Sequence, residues 1–353
     1  MPDEIRILGA FGLALLVTAL VTPPIRQLAV RAGFLDHPFG YKLHSHPTPY
    51  LGGAAVLLGF LVAAIAFGGG GDFAPIALCA VALFAVGAVD DKIGLPVLPR
   101  LSVQIGAGLV LWAAGVSWEL GNGAAELALT LLWVVGLTNA FNLMDNMDGA
   151  AATVGAVSAA GAGALALANG NPALATLAFA LAGACAGFLR FNLARPSRIF
   201  LGDAGSMPVG LVVAAVIMAA PDGSLGWAGL LAVAPLAALP ILDTTLVVLS
   251  RRRRGVAVLS GARDHLTHRL LEPLGSARAV AAVLAISQGL LCLLAIGLES
   301  LPREQIAIAA AGYLGCGVLA IALLDGPPKL LLGRLRLLLG GPARASAAEE
   351  RSI

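Results

Sequence analysis

Residues 139–151, NAFNLMDNMDGAA, place amide and carboxylate side chains in a short polar stretch between two apolar segments. Asn142, Asp145 and Asp148 recur at every third position, so a continuing helix would put neighbours of this set on one face. Their oxygen atoms are hard ligands that suit Mg²⁺, which usually takes one or two carboxylates together with a substrate phosphate. A turn near Gly149 is the alternative, because Asn and Asp are common turn residues. The turn accounts for one or two of the three residues more easily than for all of them.

Two further acidic positions stand at the edges of apolar runs. Asp90 and Asp91 are adjacent in GAVDDKIGL, where they repel each other and lose solvation near a membrane. A divalent cation or a cationic phosphate site would relieve both costs, whereas the simpler reading is a solvated helix end with Lys92 as partner. Asp203, in FLGDAGS, lies between two glycines where an apolar run begins. This pattern is typical of an anion site at a helix N-terminus, or of an ordinary N-cap, and the flanking glycines favour the functional reading.

The basic segment RRRRGVAVLSGARDHLTHRL has two parts. Residues 251–254 are interpreted as a topogenic basic run, with phosphate contact as the lesser alternative. His265, His268 and Arg269 follow with spacings of three and four, so a helix would bring them together and indicate phosphate binding.

Asp243 lies about two turns inside an apolar run, where it is equally a site candidate or a structural partner for a neighbouring helix.

The elements that carry these residues are membrane-spanning helices. The 353 residues are 59% hydrophobic and 12% charged, with a mean hydropathy of +0.91, which excludes an ordinary soluble domain. We predict an all-α polytopic membrane protein, since helices satisfy their own backbone in lipid and the 44 glycines suit close helix packing. Eleven spans are predicted: 5–24, 51–67, 74–89, 101–117, 126–141, 149–168, 172–188, 206–220, 227–249, 278–297 and 304–324.

The basic residues indicate the orientation of these spans. Of the 22 Lys and Arg residues, all except Arg6 and Arg303 fall on one side of the alternating linkers. The positive-inside rule therefore predicts an outside N-terminus, a cytoplasmic C-terminus and an active site formed by cytoplasmic loops. The first apolar run is interpreted as a permanent span rather than a signal peptide. The four cysteines fall inside predicted spans, which makes disulfides and a zinc site unexpected.

Five loops in order, from about Asp36 to Leu270, resemble one family. DHPFGYKLHSHPTPYLGG resembles its DxPxxRKxHxxPxPxxGG motif, and GAVDDKIGL resembles DDxxGL. NAFNLMDNMDGAA resembles NxxNxxDGxDGLA, FLGDAGS resembles F(M/L)GDxGS, and RDHLTHRL resembles DxxHxHHRL. The family is that of the polyprenyl-phosphate N-acetylhexosamine-1-phosphate transferases of bacterial envelope synthesis. The resemblance implies that UDP-N-acetylhexosamine and polyprenyl phosphate react, with Mg²⁺ or Mn²⁺, to give polyprenyl-diphospho-N-acetylhexosamine and UMP.

The resemblance also implies roles for individual residues, which are as follows. Asn142 and Asp203 would be metal ligands, with Asp145 close by, and Asp90 and Asp91 would lie beside the phosphates. Asp148 would bind the uracil, and Phe200 would stack on it. The residues that would hold the phosphates are Lys42, His44, Arg100, His265, His268 and Arg269. Whether an aspartate deprotonates the lipid phosphate or attacks to form a covalent intermediate stays open at this stage.

This chain departs from the family pattern in three motifs. Asn146 replaces a glycine and Ala150 replaces a leucine in DGxDGLA. Tyr41 replaces the arginine of RK, and Thr267 stands where a middle histidine is usual. One of the two remaining histidines must then carry that role. The histidine motif also differs from the triple-histidine run of the phospho-N-acetylmuramoyl-pentapeptide transferase branch, so the branch that starts other envelope glycans is favoured, with UDP-N-acetylglucosamine as donor.

The remaining expectations concern partners and organisation. The acceptor is expected to be undecaprenyl phosphate in the bacterial inner membrane; a homodimer is compatible with the small-residue helix faces, and no nucleic-acid partner is expected. Residues 1–324 would form one integral-membrane domain and 325–353 a cytoplasmic tail, amphipathic at first and then disordered. The competing classes are the pentapeptide transferase, a transporter and a non-catalytic lipid-phosphate-binding protein. Retention of all six Asp and Asn site residues favours catalysis.

Overall fold

The computed structural model describes residues 1–38, 46–68, 73–221, 223–258 and 262–325. Its helices are α1 (Asp3–Arg31), α2 (Gly52–Phe67), α3 (Ala74–Ile93), α4 (Val97–Ala113), α5 (Gly123–Met144), α6 (Ala150–Ala168), α7 (Pro172–Asn192), α8 (Asp203–Ala219), α9 (Trp227–Val233), α10 (Ala238–Arg253), α11 (Leu266–Leu274), α12 (Ala277–Glu299) and α13 (Arg303–Leu324). Short 3₁₀ turns occur at Gly223–Leu225 and Ala234–Ala237. Two-residue strands, β1 (Leu35–Asp36) and β2 (Thr48–Pro49), pair antiparallel.

Every predicted span coincides with a helical segment among the described residues. The ninth is interrupted, because residues 234–237 form a 3₁₀ turn with Pro235 between α9 and α10. Within the described ranges, seven segments are both long and apolar enough to cross a bilayer, and α2, α4 and α8 are shorter apolar helices. The chain is therefore an all-α polytopic membrane protein, while the count of eleven spans and the orientation remain predictions.

The centre of the helical bundle is built from α6, α7 and α8. All residues of α8 from Ala204 to Met218 are buried, and α1 and α7 make one of the most extensive helix pairs. Small residues dominate this centre, as expected where helices approach closely in lipid. Large apolar side chains such as Leu8, Leu290 and Ile308 are exposed on peripheral helices, where lipid would cover them.

Local sequence signals explain where the functional helices begin and end. The Asn122 side chain accepts backbone N–H groups at the start of α5, and Asn171 does the same for α7, which then begins with Pro172. α3 ends at Ile93, two residues after its acidic pair, and the left-handed backbone of Gly94 (φ 68°) terminates the helix there. Gly202 (φ 73°) precedes the first residue of α8. Polar residues consequently cluster at the C-terminal ends of α3 and α5 and the N-terminal end of α8.

The segment before α2 holds the start of α8 in place. Phe200 N–H donates to Pro49 O (2.8 Å), and Gly52 and Gly53 donate to Phe200 O and Leu201 O (3.0 Å each). A Cβ atom at Gly53 would lie 2.3 Å from Gly205 N, so only glycine permits this approach. Two motifs that lie about 150 residues apart in the chain are thereby joined.

Two predicted regions fall outside the described residues. Lys42 and His44 belong to the segment 39–45, and the predicted tail lies in 326–353 apart from Asp325. Their predicted roles therefore stay predictions. Asp325 itself follows α13 and forms an ion pair with Arg253.

Candidate active site

Asp91 binds the N-terminus of α8. Its Oδ1 accepts the backbone N–H of Asp203 (2.9 Å), and its Oδ2 accepts that of Ala204 (3.0 Å). These are two of the N–H groups that a helix leaves without internal partners, and the helix dipole adds to the attraction. The anion-binding position predicted at this helix start is thus occupied by a carboxylate from α3. A Cβ atom at Gly87, one turn earlier in α3, would lie 2.4 Å from Asp203 O, so a glycine there allows the contact.

Asp90 points to a different partner. Its Oδ2 accepts Arg100 Nη1 (2.6 Å), and its Oδ1 accepts Leu95 N–H (2.5 Å). Arg100 also lies 3.6 Å from Asp203 Oδ2, so one guanidinium group bridges two carboxylates. The sequence-based alternative, in which Lys92 neutralises this helix end, is not what the structure shows, because Lys92 donates to Ala32 O (2.8 Å).

Asn142 links α5 to the same carboxylate of α8. Its Nδ2 donates to Asp203 Oδ1 (2.7 Å) and to Ser206 Oγ (3.1 Å). Asp145 follows the last residue of α5. Burial raises the pKa of Asp145 well above its usual value, and the nearby carboxylates of Asp203, Asp91 and Asp148 raise it further, while a backbone hydrogen bond with Gly202 opposes them. The predicted acidic residues are therefore close enough to interact.

This concentration of negative charge fits a divalent cation. Asn142, Asp145 and Asp203 supply the hard oxygen donors that Mg²⁺ takes, and a cation would relieve the repulsion that raises the pKa of Asp145. Among the described residues, no three His, Cys, Asp or Glu side chains already stand as a metal-binding group. Substrate phosphate and water would have to complete the coordination.

The histidine motif is anchored by the deep aspartate of α10. His265 Nδ1 lies 2.9 Å from Asp243 Oδ2, and Leu266 N–H donates to Asp243 Oδ1 (2.6 Å). Asp243 is fully buried. Of the two readings open at this position, the geometry favours support of the histidine motif, since one carboxylate both orients the imidazole and caps α11.

His268 lies next to His265, with ring centroids 6.0 Å apart. Burial lowers the pKa of His268 to about 4, and the neighbouring His265 adds to this effect. Its Nδ1 atom is buried without a hydrogen-bond partner among the described residues. A neutral His268 can hydrogen-bond a phosphate but cannot form an ion pair with it.

Arg269 has structural contacts instead of an open guanidinium group. It donates through Nε to Asp264 O (2.9 Å), through Nη2 to Ser250 Oγ (3.2 Å) and through Nη1 to Leu324 O. The geometry thus favours a role in fixing the loop, and its predicted phosphate contact stays a prediction. In the same network, Arg251 Nη2 forms an ion pair with Asp264 Oδ1 (2.7 Å). The first residue of the basic run therefore has a structural role in this loop.

Asp148 and Phe200, predicted to bind uracil, are both half-buried near the acidic residues. Asp148 is close enough to Asp145 to affect its pKa, and Phe200 directly precedes the turn into α8. Neither observation tests whether these two residues bind uracil, so that role stays a prediction.

The sequence reasoning assigned no role to Asn192, which joins two of the motifs. Its Oδ1 accepts Gly149 N–H (2.6 Å), and its Nδ2 donates to Ile199 O (3.1 Å). The side chain is buried. Asn192 stands at the end of an apolar helix, seven residues before Ile199 in the chain. A polar residue in that position indicates a link between two motifs only when the segment it binds is already known. Gln104, which pairs with Asn139 (2.6 Å), was missed for the same reason.

Comparisons with known proteins show the family of this chain. Residues 73–220 match the family described as Glycosyl transferase family 4. The chain is 31% identical over 360 aligned positions to a decaprenyl-phosphate N-acetylglucosaminephosphotransferase of Mycobacterium tuberculosis, covering 89% of this chain and 88% of the relative. It is 28% identical to a probable undecaprenyl-phosphate N-acetylglucosaminyl 1-phosphate transferase of Bacillus subtilis, covering 77% and 79%. It is also 28% identical to the undecaprenyl-phosphate alpha-N-acetylglucosaminyl 1-phosphate transferase of Escherichia coli K12, covering 75% and 77%. This chain therefore belongs to glycosyl transferase family 4, the family of these polyprenyl-phosphate N-acetylglucosamine-1-phosphate transferases.

Proposed function

We propose that this protein transfers N-acetylglucosamine-1-phosphate from UDP-N-acetylglucosamine to undecaprenyl phosphate, giving undecaprenyl-diphospho-N-acetylglucosamine and UMP. The observation that carries the proposal is the junction of α3, α5 and α8, where Asp91, Asn142 and Arg100 all converge on Asp203 or its backbone. The named activities of the relatives support the same reaction.

The reaction requires one phosphorus–oxygen bond to form and another to break. An oxygen of the lipid phosphate attacks the sugar-bearing phosphorus of the donor, and the bond from that phosphorus to the bridging oxygen breaks. UMP leaves with the bridging oxygen and the bond electrons. Both reactants are anionic, so the protein must mainly position them and offset their charge.

Different residues of the site would bind the phosphates, hold the metal and accept a proton. Arg100 would contact phosphate, and its position supports this role, because its guanidinium group lies at the acidic cluster between the carboxylates of Asp90 and Asp203. Asp203 and Asn142, with Asp145 beside them, would hold Mg²⁺, which would neutralise charge on the transferring phosphate. Asp90 and Asp91 stand beside this position, and either is a candidate acceptor for a proton of the lipid phosphate. Direct attack and a covalent aspartyl intermediate are both compatible with this placement.

The remaining parts of the proposal concern the substrates and the setting. Asp148 would hydrogen-bond uracil and Phe200 would stack on it, while His265 and His268 would contact phosphates together with Lys42. We further propose the bacterial inner membrane as location, with the acidic cluster on the cytoplasmic side where UDP-sugars are available.

The direct test is UMP release by the purified protein in detergent. UDP-N-acetylglucosamine and UDP-N-acetylgalactosamine are supplied separately, with and without undecaprenyl phosphate and Mg²⁺. We expect release with the first donor only when lipid and metal are both present, and loss of release in Asp203→Asn. Asp3→Asn is the matched control, because it removes a carboxylate that pairs with Arg6 at the N-terminal end of α1, away from the cluster and the histidine motif. Folded protein that releases no UMP from either donor would refute the proposal.

A further inference from the structure

A second polar feature is a cavity of about 540 Å³ whose wall contains none of the acidic-cluster residues. Its wall is formed by Arg26, Arg190, Ala194, Arg195, Pro196, Ser197, Arg198 and Arg278. The arginines come from α1, from the last turn of α7, from the loop after α7 and from the first turn of α12. Segments up to 250 residues apart in the chain thus contribute to one basic wall.

The positive charge of this wall is not neutralised within the described residues. None of the five arginines has a carboxylate partner there. Arg26 Nε donates to Arg198 O (2.9 Å) and Arg278 Nε to Leu193 O (2.8 Å), which orients both side chains through one nitrogen each. Guanidinium groups that share a cavity repel one another, so a bound anion would stabilise the arrangement.

The positive-inside rule explains why arginines are frequent at helix ends, but not why five surround one cavity. Arg251, in contrast, is paired with Asp264, which shows that this chain supplies counter-charges elsewhere. Several guanidinium groups on one wall form a donor set suited to phosphate oxygens.

The position of the cavity indicates the source of the phosphate. α1, α7 and α12 are all long and apolar enough to span a bilayer, and the cavity lies where their basic ends meet. Arginines at such ends lie at the depth of lipid headgroups. We propose that this cavity binds the phosphate-bearing headgroup of an anionic phospholipid. The site is separate from the acidic cluster, so the proposal does not depend on the transfer reaction.

The test measures lipid retention by the full-length protein. Delipidated protein in a non-ionic detergent is titrated with dioleoyl-phosphatidylglycerol or dioleoyl-phosphatidylcholine, and bound lipid is counted by native mass spectrometry. The variant is Arg195→Gln with Arg198→Gln, because neither side chain makes a described hydrogen bond and the backbone contacts of Arg26 and Arg278 stay in place. We expect the wild type to prefer phosphatidylglycerol, and the variant to bind it about tenfold more weakly or worse.

The matched control is Arg31→Gln with Arg252→Gln, which removes the same charge at two exposed positions outside the cavity wall. It should bind phosphatidylglycerol as the wild type does, and thermal unfolding without added lipid should show that both variants are folded. Equal binding of phosphatidylcholine, or equal losses in variant and control, would overturn the proposal. A third arm adds sn-glycerol 3-phosphate: competition at concentrations similar to those of the lipid would assign the cavity to a soluble phosphate and reject the lipid.

Discussion

The carboxylate of Asp243 allows the sharpest test of how the histidine motif works. Asp243→Asn keeps the shape of the side chain and retains an oxygen that can accept Leu266 N–H. It removes the charge that faces His265 Nδ1 at 2.9 Å. The amide nitrogen would favour the imidazole tautomer with Nδ1 as acceptor, which moves the proton to the opposite nitrogen.

The expected size of the effect follows from the burial of the pair. Asp243 is fully buried and His265 is nearly so, so water cannot replace the lost interaction. A hydrogen bond to a charged group contributes about 1.5–3 kcal/mol, which corresponds to a decrease in rate of roughly 10- to 150-fold. We expect kcat to fall within this range, while KM for UDP-N-acetylglucosamine changes little. The unfolding temperature should also decrease, because the same buried hydrogen bond stabilises the fold, so rates are compared well below the unfolding temperature of the variant.

The assay is the initial rate of UMP release at saturating undecaprenyl phosphate, over a range of UDP-N-acetylglucosamine. Glu126→Gln is the matched control, because Glu126 Oε1 also accepts two backbone N–H groups, at the N-terminal end of α5, the end opposite Asn142. It should leave kcat unchanged. A wild-type kcat in Asp243→Asn, or equal decreases in Asp243→Asn and Glu126→Gln, would refute the positioning role.

Three other perturbations test the scaffold. Gly87→Ala should lower the free energy of unfolding by about 1–3 kcal/mol, and activity and unfolding temperature with it, since its Cβ would lie 2.4 Å from a backbone oxygen of α8. Gly106→Ala is the control and should be neutral or stabilising, because open space surrounds that position. Because burial lowers the pKa of His268 to about 4, this side chain binds fewer protons in the folded state than in the unfolded state below about pH 6.5. The difference in unfolding temperature between the wild type and His268→Gln should therefore be constant above about pH 6.5, and the wild type should lose stability relative to the variant from there toward pH 4. Arg251→Met should cost about 3 kcal/mol in the free energy of unfolding, measured in denaturant, because it removes one of the cations beside buried Asp264; no loss would show that the remaining arginine suffices.

The membrane class, the helices and the membership of the acidic cluster could be predicted because each depends on local pattern. Apolar run length decides whether a helix can span a bilayer, and the acidic residues stand in short motifs. The spacing of Asn142 and Asp145 does not show that Asn142 binds Asp203, a residue 61 positions away. Pairings of this kind depend on helix packing, which periodicity does not encode.

The same limit explains why Lys92, the alternative partner considered for the acidic pair, binds elsewhere, and why the partner of Asp91 was not predicted. Sequence proximity made Lys92 the natural partner of the acidic pair, but a helical residue lies about 100° around the axis from its neighbour. Lys92 therefore reaches the end of α1, and Asp91 reaches the start of α8. The arginine cavity is an extreme case, because its residues follow no motif at all and meet only through the packing of α1, α7 and α12.

Two departures from the family pattern are in contact with each other. Asn146 replaces a glycine in the acidic segment and Thr267 replaces a histidine in the basic motif. In the structure the Thr267 hydroxyl donates to Asn146 Oδ1, across 121 residues of sequence. Thr267 is fully buried, so its hydroxyl needs a partner that a glycine could not supply. The two replacements therefore form one polar link between the acidic and histidine motifs. Thr267 with a glycine at position 146 would leave a buried hydroxyl unpaired. Asn146 with a histidine at position 267 would crowd an imidazole against the amide.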